Sequence, residues 1–160
     1  QTWKKLLDLN EAEWDAVLDT NLKGCFLCTQ RAARLMQAGG HGGSIVNIGS
    51  GCNRHAFPRL VDYTASKGGI VQMTKGLATA WAKDNIQVNA VLPGWIDTDL
   101  TRKAREQVKG LHERVLERTP AGRWGITADF AGIAVFLSSP ASDFITGTAI
   151  PVDGGYSVQG

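Results

Sequence analysis

Apolar positions along the chain follow two periods in turn, and this alternation predicts strands between helices. Three short runs have the length and the β-branched content of buried strands: residues 44–49, 87–92 and 148–153. Three longer stretches have helical spacing: residues 11–37, 63–83 and 128–138. Because strands that alternate with helices are joined by right-handed crossovers, the pattern predicts a parallel sheet and an α/β fold.

Local signals refine the last third of the chain. The stretch 98–118 is polar but helical in its spacing, and Thr127 is a suitable N-cap for the helix that Pro140 ends. Pro151 cannot donate a hydrogen bond to a neighbouring strand, so the last strand is expected at the edge of the sheet. No repeat or linker divides the chain, which indicates a single domain over residues 1–160.

Composition narrows the class of protein. With 43% hydrophobic and 20% charged residues, the chain is expected to be soluble and globular. Its net charge of +2 is too small to favour nucleic acid or membrane surfaces as partners, and no apolar run has the length of a membrane-spanning helix. Three cysteines, Cys25, Cys28 and Cys52, indicate a reducing compartment, so we expect a cytoplasmic protein.

Cys25 and Cys28 form a C-x-x-C pair, which has two interpretations. Both lie within an apolar helical pattern, and no second pair of ligands follows at zinc spacing. Burial inside a helix packing surface is therefore favoured over a redox or metal role. The three histidines are scattered along the chain, and we expect no metal site.

Ser50, Tyr63 and Lys67 together can transfer a proton. Tyr63 and Lys67 are one turn apart on one face of a predicted helix, and Ser50 follows the first predicted strand. A free phenol ionises near about pH 10, so at neutral pH it is a poor base. A nearby ammonium favours the phenolate, so Lys67 is expected to lower the pKa of Tyr63. The tyrosine would then exchange a proton with a substrate hydroxyl or carbonyl.

These residues and three further motifs resemble the short-chain dehydrogenase/reductase family, and the resemblance covers nearly the whole chain. Tyr63 to Lys67 matches the family's Y-x-x-x-K signature, and Ser50 matches its catalytic serine after the fifth strand. The further motifs resemble the family's fourth helix, its sixth strand with the loop over the nicotinamide, and its last strand: residues 14–26, 89–98 and 152–155.

The resemblance implies hydride transfer between NAD or NADP and a carbonyl or secondary alcohol carbon. It implies that Tyr63 is the general acid and base, that Ser50 holds the substrate oxygen, and that Lys67 also hydrogen-bonds the nicotinamide ribose. Asn21 would hold a water that links Lys67 to solvent as a proton relay. The further residues implied at the nicotinamide are Pro93, Gly94, Ile96 and Thr98.

The family's fold is a doubly wound, Rossmann-like parallel sheet, and the motifs match only its strands 5, 6 and 7 with their flanking helices. The family's glycine-rich turn and its N-N-A-G segment do not occur before Asn21. The glycine cluster at residues 39–43 precedes a strand, so it is expected to be a flexible connection. We therefore expect the C-terminal part of a dehydrogenase with the N-terminal glycine-rich half absent, and no turnover by this fragment alone.

Small residues along the predicted helix 63–83 indicate close packing. Glycine inside a helix costs about 1 kcal/mol relative to alanine, so the approach of another element is an expected compensation. The family packs the helices that carry Asn21 and Tyr63 against their counterparts in a dimer, usually within a homotetramer. A homo-oligomer is therefore expected from the resemblance, and packing on the chain's own sheet is the alternative.

The substrate is expected to be a small molecule, and basic residues favour an anionic one. Arg54, His55 and Arg59 follow the catalytic serine in a segment that borders the substrate in this family, and residues 98–118 contain six Lys or Arg. Arginine pairs well with carboxylates, although most charged side chains are simply solvated. The run at residues 118–125 resembles sugar-acid dehydrogenases of the gluconate type.

Two alternatives stay open. A 3-oxoacyl carrier-protein reductase has nearly the same motifs and would also need basic residues to meet its carrier. A non-catalytic remnant would fold or form oligomers without binding a cofactor. Comparing the turnover of free sugar acids with that of acyl-carrier thioesters separates the carrier-protein reductase from a sugar-acid dehydrogenase. A glycine-rich turn upstream of Gln1 would exclude the non-catalytic remnant.

Overall fold

Three parallel strands form the centre of the protein. The computed structural model describes residues 4–53 and 59–160. The strands are β1 (Gly43–Ile48), β2 (Ile86–Pro93) and β3 (Ala149–Val152). They lie in the order β1-β2-β3, and both neighbouring pairs are parallel. The α/β fold and its parallel sheet are confirmed, and each strand begins and ends within one residue of the predicted bounds.

The middle strand is buried on both faces, as expected for a parallel sheet covered by helices. Ile86, Val88 and Val91 are at most 2% exposed, and Ile86 and Val88 pack in one apolar cluster with Ile45 of β1. Within the described part of the sheet, β3 pairs with β2 alone, so Pro151 lies in an edge strand as predicted. Pro151 pairs in register with Leu92.

The predicted helix 11–37 is one helical run with a change of pitch in its middle. It consists of α1 (Glu11–Leu18), a π-helical turn (Asp19–Lys23) and α2 (Gly24–Gly39). Asn10 caps the start of α1, because its side-chain oxygen accepts the Glu13 backbone N–H at 2.9 Å. Gly40, with a φ of 69°, ends α2 in the left-handed region that glycine adopts without strain.

Helix α3 (Val61–Trp81) crosses the sheet with one continuous buried stripe. The stripe recurs every fourth residue, which is the spacing of one helical face. Its members are Asp62, Ser66, Ile70, Thr74 and Ala78. Ala78 packs in one apolar cluster with residues of α2, β1 and β2, and Val71 packs in a second cluster with residues of β2.

A buried amide joins β1 to both of these helices. The Asn47 side-chain oxygen accepts hydrogen bonds from Thr29 Oγ1 and Cys25 Sγ on α2, each at 3.3 Å. The Asn47 side-chain nitrogen donates to Thr74 Oγ1 on α3 at 3.0 Å. Because Asn47 is only 5% exposed, these bonds satisfy a polar group that water does not reach.

The polar stretch 98–118, called the lid below, forms two helices on a small core of its own. These are α4 (Asp99–Gln107) and α5 (Leu111–Arg118), joined by a turn in which Gly110 has a φ of 72°. Leu111, Val115 and Trp124 are buried together beneath them.

The predicted N-cap of the next helix is wrong. Thr127 is the first residue of a 3₁₀ turn (Thr127–Phe130), which leads into α6 (Ala131–Leu137). The carboxylate of Asp129 accepts the Ile126 backbone N–H at 2.8 Å, so the N-cap position is Ile126, one residue before the predicted one. Two hydrogen bonds from Arg123 hold this carboxylate in place and help to lower the pKa of Asp129 to about 2.

The cysteines are free, and their packing differs from the prediction in one case. Cys25 is half-buried and bonded to Asn47, whereas Cys28 is exposed, so burial of both in a helix packing surface is wrong for Cys28. The described residues contain no group of three or more His, Cys, Asp or Glu side chains that would hold a metal ion. None of the described helices is long and apolar enough to cross a membrane.

Gly94 allows the chain after β2 to pass close to the turn after β3. A side chain at this position should therefore lower the free energy of unfolding. A Cβ at Gly94 would lie 2.6 Å from Asp153 Cβ and 2.7 Å from Asp153 Cα. We expect Gly94→Ala to lower the free energy of unfolding by about 1–3 kcal/mol, because the backbone must shift to relieve the overlap. Urea denaturation of the protein measures this change.

Gly132→Ala is the matched control, because a Cβ there would meet no atom within 4 Å. Gly132 lies inside α6, where alanine is the better helix former, so its replacement should leave stability unchanged or raise it by up to about 1 kcal/mol. Equal free energies of unfolding for the two variants would contradict the close contact at Gly94.

Candidate active site

A cavity of about 290 Å³ opens where β1 and β2 end. Ligands of open parallel sheets bind at the carboxyl ends of the strands, where the connecting loops leave room between them. The cavity wall combines the segments after β1, β2 and β3 with the first turn of α3. Its members include Ser50, Tyr63, Pro93, Gly94, Trp95 and Tyr156.

Ser50 is fixed by the strand that precedes it. The Gly49 N–H donates to the Val91 carbonyl at 2.8 Å, which continues the pairing of β1 with β2 past the end of β1. The next residue, Ser50, is 8% exposed, and its hydroxyl oxygen accepts the Cys52 backbone N–H at 3.2 Å. The serine hydroxyl is therefore held at the cavity wall with its proton available to donate.

Tyr63 reaches the same cavity from the first turn of α3. Burial raises the pKa of Tyr63 above the ordinary value, and a hydrogen bond with the Ser50 side chain opposes part of that increase. The structure thus brings together the two hydroxyls that the sequence predicted as a pair. At neutral pH the phenol keeps its proton, so it is suited to donate that proton to a substrate oxygen.

The ammonium of Lys67 is bonded to the backbone and lies away from the phenol oxygen. Its Nζ donates to the Ile48 carbonyl at 2.9 Å and lies 5.8 Å from the centroid of the Tyr63 ring. Burial lowers the pKa of Lys67. The prediction that Lys67 lowers the pKa of Tyr63 is therefore wrong for this structure, because desolvation of the phenol outweighs the other influences and raises the value.

Asn21 is connected to the catalytic helix through a residue that the sequence analysis missed. Asn21 lies in the π-helical turn, and its side-chain nitrogen donates to Ser66 Oγ at 3.1 Å. Ser66 is fully buried, and its hydroxyl in turn donates to the Tyr63 carbonyl at 2.7 Å. Single-turn π segments inside α-helices occur often at functional sites. The only sequence signal for Ser66 was its position beside Lys67 within the signature.

Thr101 holds Ile96 and Thr98, two of the four residues predicted at the nicotinamide. The Thr98 N–H donates to Thr101 Oγ1 at 3.0 Å, and the Thr101 hydroxyl donates to the Ile96 carbonyl. Thr101 lines the cavity, but Ile96 and Thr98 are not among the described residues of its wall. Ile96 borders a second cavity of about 260 Å³. Their contact with the nicotinamide stays a prediction.

Of the residues predicted to meet the substrate, Ser50 lines the cavity and Arg59 does not. Arg54 and His55 lie outside the described residues. Arg59 is exposed and is not one of the described residues that line the cavity wall. The lid lines the cavity with Thr101 and with two longer polar side chains, Lys103 and Gln107, which the sequence analysis did not single out.

The cavity fits the nicotinamide end of the implied cofactor. Gly51 and Gly94 both line it, so two parts of its wall carry no side chain. The remaining wall is largely apolar around Pro93 and Trp95, which suits a flat ring, and the Tyr63 hydroxyl supplies the polar group beside it. The residues that would hold the nicotinamide are Tyr63, Lys67, Pro93 and Gly94.

Comparisons place this arrangement among known dehydrogenases. A family model described as enoyl-(acyl carrier protein) reductase matches residues 2–157. The 2-dehydro-3-deoxy-D-gluconate 5-dehydrogenase of Escherichia coli (strain K12) is 43% identical over 150 residues, which are 94% of this chain and 59% of that protein. The 3-oxoacyl-(acyl-carrier-protein) reductase of Thermotoga maritima is 41% identical over 150 residues, again 94% and 59%.

A solved structure extends the likeness to three dimensions. The gluconate 5-dehydrogenase from Burkholderia cenocepacia J2315, in complex with NADP and tartrate, matches with a TM-score of 0.93 at 39% identity. The match covers 99% of this chain and 61% of that one. The chain thus spans about three fifths of the length of the relatives that it matches.

The environment of Tyr63 generates a prediction about its ionisation. Because burial raises its pKa, the phenolate of Tyr63 should form above the ordinary pKa of a tyrosine side chain, which is about 10. An alkaline titration followed by phenolate absorbance measures this, and the part of the signal that Tyr63→Phe removes belongs to Tyr63. A midpoint below that value would restore the original expectation that Lys67 governs the phenol.

Proposed function

Because the chain belongs to the short-chain dehydrogenase/reductase family, we propose that it transfers a hydride between NAD or NADP and a carbonyl or alcohol carbon. The substrate we propose is a sugar acid or a similar small polar molecule. The observation that carries the proposal is the pair of hydroxyls, Ser50 and Tyr63, on one cavity at the ends of parallel strands. The gluconate-type names of two relatives support the substrate class.

The chain's own part in the reaction is to position the substrate and to move one proton. The nicotinamide, when bound, supplies or accepts the hydride. The Ser50 hydroxyl donates a hydrogen bond to the substrate oxygen and so holds it beside Tyr63. In reduction, the Tyr63 hydroxyl gives its proton to that oxygen as negative charge develops there. In oxidation, the phenolate of Tyr63 takes the proton back.

Lys67 and Asn21 act behind the tyrosine. Lys67 holds the nicotinamide ribose, and it is positioned for this by its hydrogen bond to the end of β1. Asn21 holds a water that passes protons between Lys67 and solvent. Its bond to Ser66, one residue from Lys67, supports this placement.

The raised pKa of Tyr63 gives the two directions opposite pH dependences. Oxidation needs the phenolate, so its rate rises as the pH approaches the pKa of Tyr63. Reduction needs the protonated phenol, so its rate is sustained at neutral pH and lost as the pH passes that pKa.

The chain works as the C-terminal part of a longer Rossmann-like dehydrogenase, whose N-terminal part supplies the glycine-rich turn for the pyrophosphate. Its coverage of about three fifths of its relatives supports this division. Helix N-termini and glycine-rich turns provide the amides that bind a pyrophosphate, so residues 1–160 alone are not expected to bind the dinucleotide.

The protein assembles as a homo-oligomer, a dimer or tetramer, through the helices that carry Asn21 and Tyr63. An open apolar groove between these helices supports this, and Leu22, Phe26 and Met73 line it. Phe26 is 41% exposed, which is unusual for a large apolar side chain beside other apolar groups. A Cβ at Gly68 or Gly76 on α3 would meet no atom within 4 Å, so that face of α3 is open to a close neighbour.

A carrier-protein-dependent reductase is the second candidate. The likeness to the Thermotoga maritima 3-oxoacyl-(acyl-carrier-protein) reductase favours it. The reaction at the cavity would be the same, but the substrate would be a thioester delivered by a protein. Faster turnover of acyl-carrier thioesters than of free sugar acids would favour this candidate.

The decisive experiment replaces Tyr63 in the full-length protein. Tyr63→Phe keeps the ring and removes the ionisable hydroxyl, so turnover of a sugar acid should fall by about 10²–10⁴-fold. Absorbance of the reduced nicotinamide measures the rate. Cofactor affinity, measured by fluorescence titration, should change little.

Lys67→Met is the contrasting variant. Because Lys67 is assigned both to the ribose and to the proton relay, its loss should weaken cofactor binding and turnover together.

Wild-type turnover in Tyr63→Phe would refute the proposed function.

A further inference from the structure

The lid contains six basic side chains, and their contacts differ. Arg102 and Arg105 both pair with Asp97, which lies just before the lid. Arg102 also pairs with Asp99 at 3.0 Å, and Arg105 lies 4.4 Å from the centre of the Trp124 ring. These two guanidinium groups therefore hold α4 onto the loop before it.

Three more of the six basic residues lie on α5 or in the turn before it. Arg114 donates to the Lys109 carbonyl at 3.0 Å, and Arg118 lies 4.8 Å from the centre of the Tyr156 ring. The side chain of Lys109 is exposed and does not belong to the described wall of the cavity.

Lys103 is the sixth, and it lies on the cavity wall. Leu100, Lys103, Ala104 and Gln107 all line the cavity, at the spacing of one face of α4. Across the described residues, no carboxylate forms an ion pair with Lys103. The acid four positions before it, Asp99, is paired with Arg102.

The other charged group on the wall is already satisfied. Asp153 lines the cavity, but one of its carboxylate oxygens accepts the Gly155 N–H and the other accepts the Ser157 N–H, both at 3.0 Å. Its charge is therefore directed at the turn after β3. The cation of Lys103 is the charge left to meet a ligand.

We propose that Lys103, with the amide of Gln107 one turn later, binds the carboxylate of the substrate and makes the site specific for a hydroxy acid. This inference rests on the proposed function and names the group that selects its substrate. Ser50 and Tyr63 hold the reacting oxygen, while Lys103 holds the charged end from the lid. A neutral polyol would leave Lys103 without its partner, because a carboxylate is the group that an ammonium binds through charge-assisted hydrogen bonds.

Gluconate and sorbitol form a matched pair of substrates for the test, because sorbitol carries CH₂OH where gluconate carries the carboxylate. Lys103→Met keeps the length of the side chain and removes its charge. In the full-length protein we expect KM for gluconate to rise roughly tenfold, the size of a charge-assisted hydrogen bond at a solvent-accessible site. KM for sorbitol and kcat for both substrates should change little.

Two further variants separate binding from structure. Lys109→Met removes a lid lysine outside the cavity and should leave both KM values unchanged. Lys103→Arg restores a cation and should recover most of the affinity for gluconate. Tartrate, a small hydroxy diacid, should inhibit the wild type and inhibit Lys103→Met several-fold more weakly.

The outcomes distinguish this inference from the proposed function. Lys103→Met could change KM for gluconate and KM for sorbitol equally, or change neither. If turnover still depends on Tyr63, that result would overturn the role of Lys103 and leave the dehydrogenase activity standing. Equal wild-type KM values for the two substrates would have the same consequence. A wild type that oxidises neither substrate and is not inhibited by tartrate would overturn the proposed sugar-acid substrate together with the role of Lys103.

Discussion

The buried amide of Asn47 is the contact on which the site depends. It lies on β1, one residue before the strand ends and the chain leads to Ser50. Its oxygen accepts a hydrogen bond from α2, and its nitrogen donates one to α3. Each such bond contributes about 1 kcal/mol, but an unpaired amide at this depth would cost about 1–3 kcal/mol. The helical run that contains Asn21 and the helix that carries Tyr63 are therefore tied to the strand that precedes Ser50.

The buried stripe of α3 turns this attachment into a defined site. Because its residues recur every fourth position against the sheet, the rotation of α3 about its own axis is fixed. Tyr63, one position after buried Asp62, then faces the cavity, and Lys67, one position after buried Ser66, reaches the end of β1. Burial of this arrangement sets its electrostatics, since it raises the pKa of Tyr63 and lowers that of Lys67.

The order of the motifs and the spacing of apolar residues in the sequence predict much of this fold. Strands of β-branched residues and a helix with one regular face have periods that a sequence displays, so β1, β2 and α3 were predictable. The π-helical turn at Asn21 was not, because one extra residue shifts the apolar face by a single position, and the apolar residues within 11–37 are too closely spaced to show that shift. Ser66 was also missed, since its role depends on contact with a helix 45 residues away in the chain.

Predictions that depended on the balance of several neighbours failed for a common reason. The pKa of Tyr63 was expected to follow the nearest charge, but desolvation has the larger influence and no sequence pattern measures it. The N-cap position lies at Ile126, one residue before the predicted Thr127, because the Asp129 carboxylate, oriented by Arg123, accepts the Ile126 N–H. The cation at the cavity, Lys103, is one of six basic residues in the lid, and only its place on the cavity wall and the contacts of the other five distinguish it.

The central claim is that Tyr63 moves the proton of the reaction, and the pH dependence of kcat/KM in both directions tests it most directly. The account predicts that oxidation rises and reduction falls through one shared ionisation above neutral pH. It also predicts that this ionisation is absent from the residual activity of Tyr63→Phe. The same ionisation in the profile of Tyr63→Phe would contradict the account, because another group would then carry the proton.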